Sequence, residues 1–288
     1  MLLRAGVPNE DERERYAVEV KWDGMRAQLR VAADGSWCLR SRPGRDCTEE
    51  FPEIRAHGIS CDLFLDGELV CLGADGKPDF AALRRRLVTR GQTRIAATPT
   101  TFVAFDVLHH RGRAVRTLPF SERRDLLRET VSESAVLRRS DPLVGDFVDV
   151  LEVTRAHHLE GVVCKHLDRP YEPGRRSGAW LKHKHRRSET VSVTGWSPRQ
   201  PHSDRGDVLY VARLDADGNA RPVGGIELRG SSIDAVAFRE ALDAHARARG
   251  RRGIVDVAAG ITLDVESHGP PGGPLRDPIV RAFRVGEC

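Results

Sequence analysis

Several things are scarce or missing in this sequence of 288 residues. No apolar run approaches the roughly 18 residues that span a bilayer. The opening Met1-Leu2-Leu3-Arg4 lacks the apolar core of an export signal. Both absences argue against a membrane or secreted protein. The six cysteines (Cys38, Cys47, Cys61, Cys71, Cys164 and Cys288) form no C-x-x-C pair and no Cys/His cluster at zinc spacing. That excludes a zinc-ribbon reading, and thiols so scattered read as reduced rather than as a disulfide framework. There is no internal repeat and no low-complexity tract. Lysine is the scarcest common charge: of 46 basic residues, 41 are arginine and five are lysine.

The five lysines are Lys21, Lys77, Lys165, Lys182 and Lys184. A bias this strong replaces lysine wherever any positive charge will do, so the survivors mark places where arginine does not serve. Arginine stays protonated at ordinary pH and cannot act as a nucleophile. Lysine can lose its proton when neighbouring cations or burial depress its pKa, and it offers phosphate a compact charge. Lys77 lies in the turn-like Ala74-Asp75-Gly76-Lys77-Pro78 and reads as surface. The other four stand in distinctive local sequences.

What is present fits a soluble globular chain of one large or two ordinary domains. Hydrophobic residues make up 40% and charged residues 31% of it. The net charge of +4 and a pI near 8.8 permit nucleic-acid binding without requiring it. Period-two alternation predicts strands over 16–22, 26–31, 36–42, 64–72 (broken by Asp66-Gly67), 101–108, 162–165 and 179–184. Helices are expected near 48–53, over 79–88, from a Ser121 cap to about 129, and over 145–158. Near residue 187 the texture changes to short strands at 190–196, 208–214 and 221–228. A helix at about 232–249 and strands at 254–257 and 261–267 follow. That order fits a small five-stranded barrel of the oligonucleotide-binding (OB) type.

Six segments then fall in a telling order: Lys21-Trp22-Asp23-Gly24-Met25-Arg26, Ser41-Arg42-Pro43-Gly44-Arg45-Asp46-Cys47-Thr48, Asp66-Gly67-Glu68, Phe105-Asp106-Val107-Leu108, Glu160-Gly161-Val162-Val163-Cys164-Lys165 and Trp180-Leu181-Lys182-His183-Lys184. The series resembles the motifs of the covalent nucleotidyltransferases, which include DNA ligases, RNA ligases and mRNA capping enzymes. With Glu19-Val20 before Lys21 and Tyr171-Glu172-Pro173-Gly174-Arg175-Arg176-Ser177 further on, it is most similar to ATP-dependent DNA ligases. The bacterial minimal ligases and the ligase domain of the end-joining ligase D are the nearest in pattern.

The resemblance implies an α+β fold. A nucleotidyltransferase domain of ATP-grasp-like antiparallel sheets with helices (1–187) would precede an OB-fold barrel (188–288), with a hinge near Arg186 to Glu189. It implies ATP and Mg²⁺ (or Mn²⁺) as cofactors. Lys21 would be the nucleophile that forms lysyl-AMP, with Lys182 and Lys184 on the phosphates. Glu160, with Asp23, would hold the metal. Glu19 and Lys165 would flank adenine, Phe105 would stack on it, and Arg26, Arg42 and Glu68 would contact the ribose or nearby groups.

The partner implied is nicked double-stranded DNA, with Ku and a repair polymerase through the end-joining likeness. A monomer in the bacterial cytoplasm, at the nucleoid, is expected. Arg84-Arg85-Arg86, Arg175-Arg176, Arg186-Arg187 and Arg247 to Arg252 are stretches that suit phosphate tracking. Taken singly, Phe105, Trp22 and Trp180 read as packing, Asp106 as structural, and the histidines as incidental. The family's final motif carries an Asp-Lys pair, whereas this sequence reads Arg284-Val285-Gly286-Glu287-Cys288. The difference predicts weakened self-adenylylation or reliance on a partner. An RNA ligase, a capping-type enzyme and a degenerate binding paralogue are the alternatives.

Overall fold

A computed structural model describes the chain except residues 55–58, 60, 89–97, 199–206, 229–233, 250–252, 270 and 287–288. It divides into two compact units, Met1–Lys184 and His185–Cys288. The fold class is the α+β expected, mixed sheet and helix.

The first unit is built on two sheets. One has the order β1-β10-β9-β2, from β1 (Leu2–Ala5), β2 (Tyr16–Val20), β9 (Gly161–His166) and β10 (Arg176–Lys184). The other has the order β4-β3-β5-β6-β7, with β8 also on β6. Its strands are β3 (Met25–Val31), β4 (Trp37–Ser41), β5 (Leu63–Cys71), β6 (Thr100–His110), β7 (Arg113–Ala114) and β8 (Leu137–Arg139). Alternation decides which face each strand buries. Ala27, Leu29 and Val31 of β3 join Leu39, Leu63, Leu65 and Phe102 in one core, closed by Leu83 of α1 (Phe80–Val88) and Leu127 of α2 (Phe120–Thr130). On the other sheet Val162, Cys164 and Leu181 pack under Phe147 and Val150 of α3 (Phe147–Ala156). All six residues of β9 are buried, because both its faces are covered.

The structure departs from expectation at several points. β5 runs unbroken through Asp66-Gly67. Gly67 lets β5 and β6 approach, since a Cβ there would meet the Phe102 ring at 2.4 Å and the Val103 carbonyl oxygen at 2.6 Å. Ser121 caps nothing: α2 starts at Phe120 after Pro119, and the Ser121 amide donates to the Leu167 carbonyl at 2.9 Å. Near Thr48 only a short 3₁₀ turn forms, Thr48–Glu50. Strand β1, parallel to β10, is absent from the sequence expectation because it has too few residues to show alternation.

In its described residues the second unit is a curled sheet carrying one helix. β11 (Arg187–Ser197) pairs β12 (Val208–Leu214) along one edge and both β15 (Val255–Val257) and β16 (Ile261–His268) along the other. β13 (Ala220–Glu227) extends from β12, β14 (Ala246–Arg249) from β15 and β17 (Arg276–Val285) from β16. Arg187–Glu189, expected as hinge, already belong to β11 and pair with Val265–Ser267. The expected 232–249 helix is the shorter α4 (Ala235–Ala244), capped by Asp234, whose carboxylate accepts from the Val236 and Ala237 amides. Its tail becomes β14, and residues 232–233 lie outside the described residues. The segment expected to hold the final motif is the long strand β17, and Glu287-Cys288 lie outside the described residues. Residues 250–252 of the last basic run do too. Val191, Val193, Leu209, Val211, Phe238, Leu263 and Val265 form the core of this unit.

Candidate active site

The site lies in the first unit, where the two sheets meet. Phe105 of β6 and Trp180 of β10 touch edge to face across the junction, centroids 5.7 Å apart, with Tyr171 beside them. Above this layer opens a cavity of about 80 Å³, lined by Leu3, Glu19, Val20, Lys21, Trp22, Arg26, Glu68, Phe105, Ser140, Val163, Lys165 and Trp180. Pairing register brings these side chains together. Trp180 lies opposite Lys165 and Lys182 opposite Val163 on β9 and β10, Glu19 opposite Val163 on β2 and β9, and Arg26 opposite Glu68 on β3 and β5.

At one end of the cavity stands Lys21, just past β2, its amide held by the Gly161 carbonyl at 2.9 Å. Its ammonium donates to Glu160 Oε2 at 2.5 Å, and Lys184 reaches Glu160 Oε1 at 3.1 Å. Glu160 is thus a carboxylate shared by two lysines. Burial pushes its pKa up, but the lysines outweigh burial and hold it below the ordinary range. Lys182 is shifted down, first by burial and then by Lys184, Lys21 and Arg176. The four groups make a compact, net-positive cluster around one amine. Gly161 permits it: at φ +150° a Cβ there would come within 2.0 Å of the His183 carbonyl oxygen. Gly24 similarly lets the turn after Lys21 press on β5, where a Cβ would stand 2.2 Å from the Leu69 carbonyl oxygen.

At the other end Lys165 is buried, 2% exposed. It donates to Glu19 Oε2 at 3.0 Å and to the Phe105 carbonyl at 2.6 Å, and it lies 4.7 Å from the Phe105 ring centroid. Burial raises the Glu19 carboxyl, and Lys165 opposes that. Ser140 approaches the same carboxyl, but no full hydrogen bond among the described residues ends on Glu19 Oε1, a buried acceptor on the cavity wall. Such a group asks for a donor from a ligand. Trp22 Nε1 donates to Ser140 Oγ at 3.1 Å on the same wall.

Arg26 forms a two-pronged bond to Asp66, at 3.0 and 2.6 Å, and Tyr171 donates to the same carboxylate at 2.8 Å. Burial, with Glu160 and Asp66 near and Lys21 and Arg26 opposing, pushes Glu68 up to about 8. Behind Phe105, the fully buried Asp106 takes two bonds from the equally buried Arg123, at 2.7 and 2.9 Å. That pair anchors the strand that carries Phe105.

Of the residues singled out by sequence, Glu19, Lys21, Arg26, Glu68, Phe105 and Lys165 line the cavity, and Glu160, Lys182 and Lys184 cluster beyond Lys21. Asp23 and Arg42 do not line it. Arg42 is exposed and borders a neighbouring cavity, and Asp23 sits half-buried in the turn after Lys21. Sequence reasoning missed Ser140, which no motif marks. Trp180 shares the face of Lys182 and Lys184 by period two, a signal present in the sequence. Among the described residues no group of three or more His, Cys, Asp or Glu side chains is disposed to hold a metal. The donor set suits a cation that takes one protein carboxylate and finds its other ligands on phosphate and water, which is the habit of Mg²⁺.

A search of known families matches residues 8–184 to the ATP-dependent DNA ligase domain. The multifunctional non-homologous end joining protein LigD of Mycobacterium bovis is 33% identical over 94% of this chain, which spans 36% of that relative's length. DNA ligase C1 of Mycolicibacterium smegmatis is 33% identical over 78% of the chain and 67% of its own. Two solved structures agree. The ligase domain of M. tuberculosis LigD covers 94% of this chain and 90% of its own at 30% identity and TM-score 0.56. A mycobacterial DNA ligase D complexed with ATP and MES covers 99% and 94% at 28% and 0.60. With the motif residues gathered round one cavity and the match spanning nearly all of the first unit, the chain belongs to the ATP-dependent DNA ligase family.

Proposed function

We infer that this chain is the catalytic core of an ATP-dependent DNA ligase that seals nicks through a lysyl-AMP intermediate. Lys21 carries the reading: a lysine amine, in an arginine-rich protein, held among Glu160, Lys182 and Lys184 at the end of a cavity walled by Phe105 and Trp180. The unpartnered Glu19 Oε1 at the far end suits the exocyclic amine of adenine, and Phe105 with Lys165 forms the wall a purine would lie against. The Lys21 nitrogen attacks the α-phosphorus of ATP. A P–N bond forms, the bond to the bridging oxygen breaks, pyrophosphate leaves and the amine sheds a proton. Glu160 is in reach of that amine. Lys182 and Lys184 stabilise the charge that develops on the phosphate oxygens. Bound Mg²⁺, held on the substrate phosphates by Glu160 with Asp23 nearby, would supply further positive charge. A 5′-phosphate oxygen at the nick then takes AMP from Lys21, and the 3′-hydroxyl displaces AMP to close the strand.

The first unit serves as the adenylylation domain and the second as an OB-type module. Nicked double-stranded DNA is the substrate, with Ku and a repair polymerase as partners in end joining, and the working form is a monomer. Among the described residues no helix is long and apolar enough to cross a membrane. A bacterial cytoplasmic, nucleoid setting is part of the same reading.

Incubation with α-labelled ATP and Mg²⁺, followed by denaturing electrophoresis, tests it. Label should stay on the wild type and vanish from Lys21→Ala. Protein that gains neither label nor the mass of AMP, and carries none when purified, would overturn the reading.

A further inference from the structure

Ser140 follows β8 and stands between the two sheets. Its amide donates to the Ala104 carbonyl at 2.8 Å, which ties it to β6 one residue before Phe105. Three residues on, the Leu143 amide donates to the Val18 carbonyl at 2.8 Å, which ties the same segment to β2 one residue before Glu19. Backbone bonds therefore hold Ser140 from both sides. Its side chain lines the nucleotide cavity, and the residue is only 5% exposed. A hydroxyl so buried needs partners.

It can accept, and it has one proton to give. It accepts from Trp22 Nε1 at 3.1 Å, which leaves that proton for an acceptor close by. The Glu19 carboxyl is that acceptor. Burial raises its pKa, and Lys165 and then Ser140 oppose the rise. Glu19 Oε2 takes the Lys165 ammonium at 3.0 Å, while Oε1 faces the cavity wall without a full bond. One hydroxyl thus serves residues on both sides of the nucleophile: Glu19, two before Lys21, and Trp22, one after it.

We propose that Ser140 is a positioning residue that sets base selectivity: anchored by Trp22, its hydroxyl holds the Glu19 carboxylate turned to take a purine with a 6-amino group and to refuse one with a 6-oxo group. An ionised carboxylate only accepts. With Lys165 on one oxygen and Ser140 on its flank, it is not free to turn towards another edge of the base. A 6-amino group offers it a donor. A 6-oxo group sets acceptor against acceptor, and both are left buried and unpaired. Without the hydroxyl, the carboxyl can swing to the N1–H of a 6-oxo purine, or take up a proton and donate to the oxo oxygen. Either change helps the 6-oxo purine and weakens the hold on the 6-amino one. The proposal rests on the ligase reading and adds to it a residue that selects the nucleotide.

The test compares the rate of lysyl-nucleotide formation from ATP and from ITP over a range of nucleotide concentrations. ITP carries the 6-oxo group and lacks the 2-amino group of GTP, so it probes the 6-position alone. For Ser140→Ala the second-order rate constant with ATP should fall about tenfold, mostly through weaker binding, while that with ITP should change less than about twofold or improve. Ser140→Thr keeps the hydroxyl and should bring the ATP-to-ITP ratio back to within about threefold of wild type. Ser140→Cys, a weak donor of similar shape, should give a ratio in between, and it carries the comparison should Ser140→Ala not fold. An equal loss with both nucleotides, or a wild-type ratio, would overturn the proposal and leave Ser140 as wall packing. So would a lost ratio that Ser140→Thr does not restore. Wild-type protein that takes label from neither nucleotide, and carries none when purified, would sink the ligase reading itself, whatever the variants do.

Discussion

Glu68 shows how a single residue carries a pH signature. Its folded-state pKa of about 8 lies above the ordinary 4.5, so the folded protein keeps a proton that the unfolded chain has released. The stabilising contribution is therefore complete below about pH 4.5 and is lost as pH rises through about 8. Glu68→Gln removes that loss. Its unfolding free energy should exceed the wild type's at about pH 9 by several kcal/mol (roughly 3–5), and the gap should close towards pH 4.5. A gap that does not vary with pH would contradict the assignment. Lys165 and Glu19 make a complementary case, because both are 2% exposed. Lys165→Met leaves a buried carboxylate without its partner, at a cost of about 3–5 kcal/mol. Adding Glu19→Gln should recover much of that stability but not ATP binding. A double variant no more stable than the single one, by denaturant unfolding, would show that the two do not act as a pair.

At the scale of elements, the site depends on how closely β9 and β10 approach where Glu160 enters. Gly161 has φ +150° and no room for a Cβ. Gly161→Ala should cost about 2 kcal/mol or more in unfolding free energy and move Glu160 away from Lys21, so lysyl-AMP formation should fall at least about tenfold. Wild-type labelling by a stably folded Gly161→Ala protein would refute the link between this crossing and the lysine cluster. The same scale explains where pattern and structure part. Alternation locates most strands of the first unit, since each buries one face on a core. It does not predict that β5 passes unbroken through Asp66-Gly67, because Asp-Gly signals a turn until a partner strand approaches so closely that only glycine fits. The 232–249 helix ends early because Ala246–Arg249, whose composition is compatible with helix, pairs with β15 and is drawn into the sheet.

For the whole molecule, a net charge of +4 is modest, yet 41 of the 46 basic residues are arginine, and Arg30, Arg40, Arg42 and Arg116 are exposed on the first unit. Binding of nicked DNA should therefore weaken more than about tenfold between 50 and 200 mM salt. A flat response by anisotropy would remove electrostatic phosphate contact as the main source of affinity.

Sequence by itself determined the order of motifs that makes the family legible, and it singled out Lys21, Glu160, Lys182 and Lys184 as residues to look for together. Those are local properties, carried by residue type and spacing. Only tertiary structure decided that Glu160 is shared between Lys21 and Lys184, that Arg42 is not among the residues lining the cavity, that Ser140 belongs to its wall, and that Glu19 pairs there with Lys165. Each depends on contacts between residues far apart in the chain, set by strand register and the meeting of two sheets, and no pattern along a single segment encodes them.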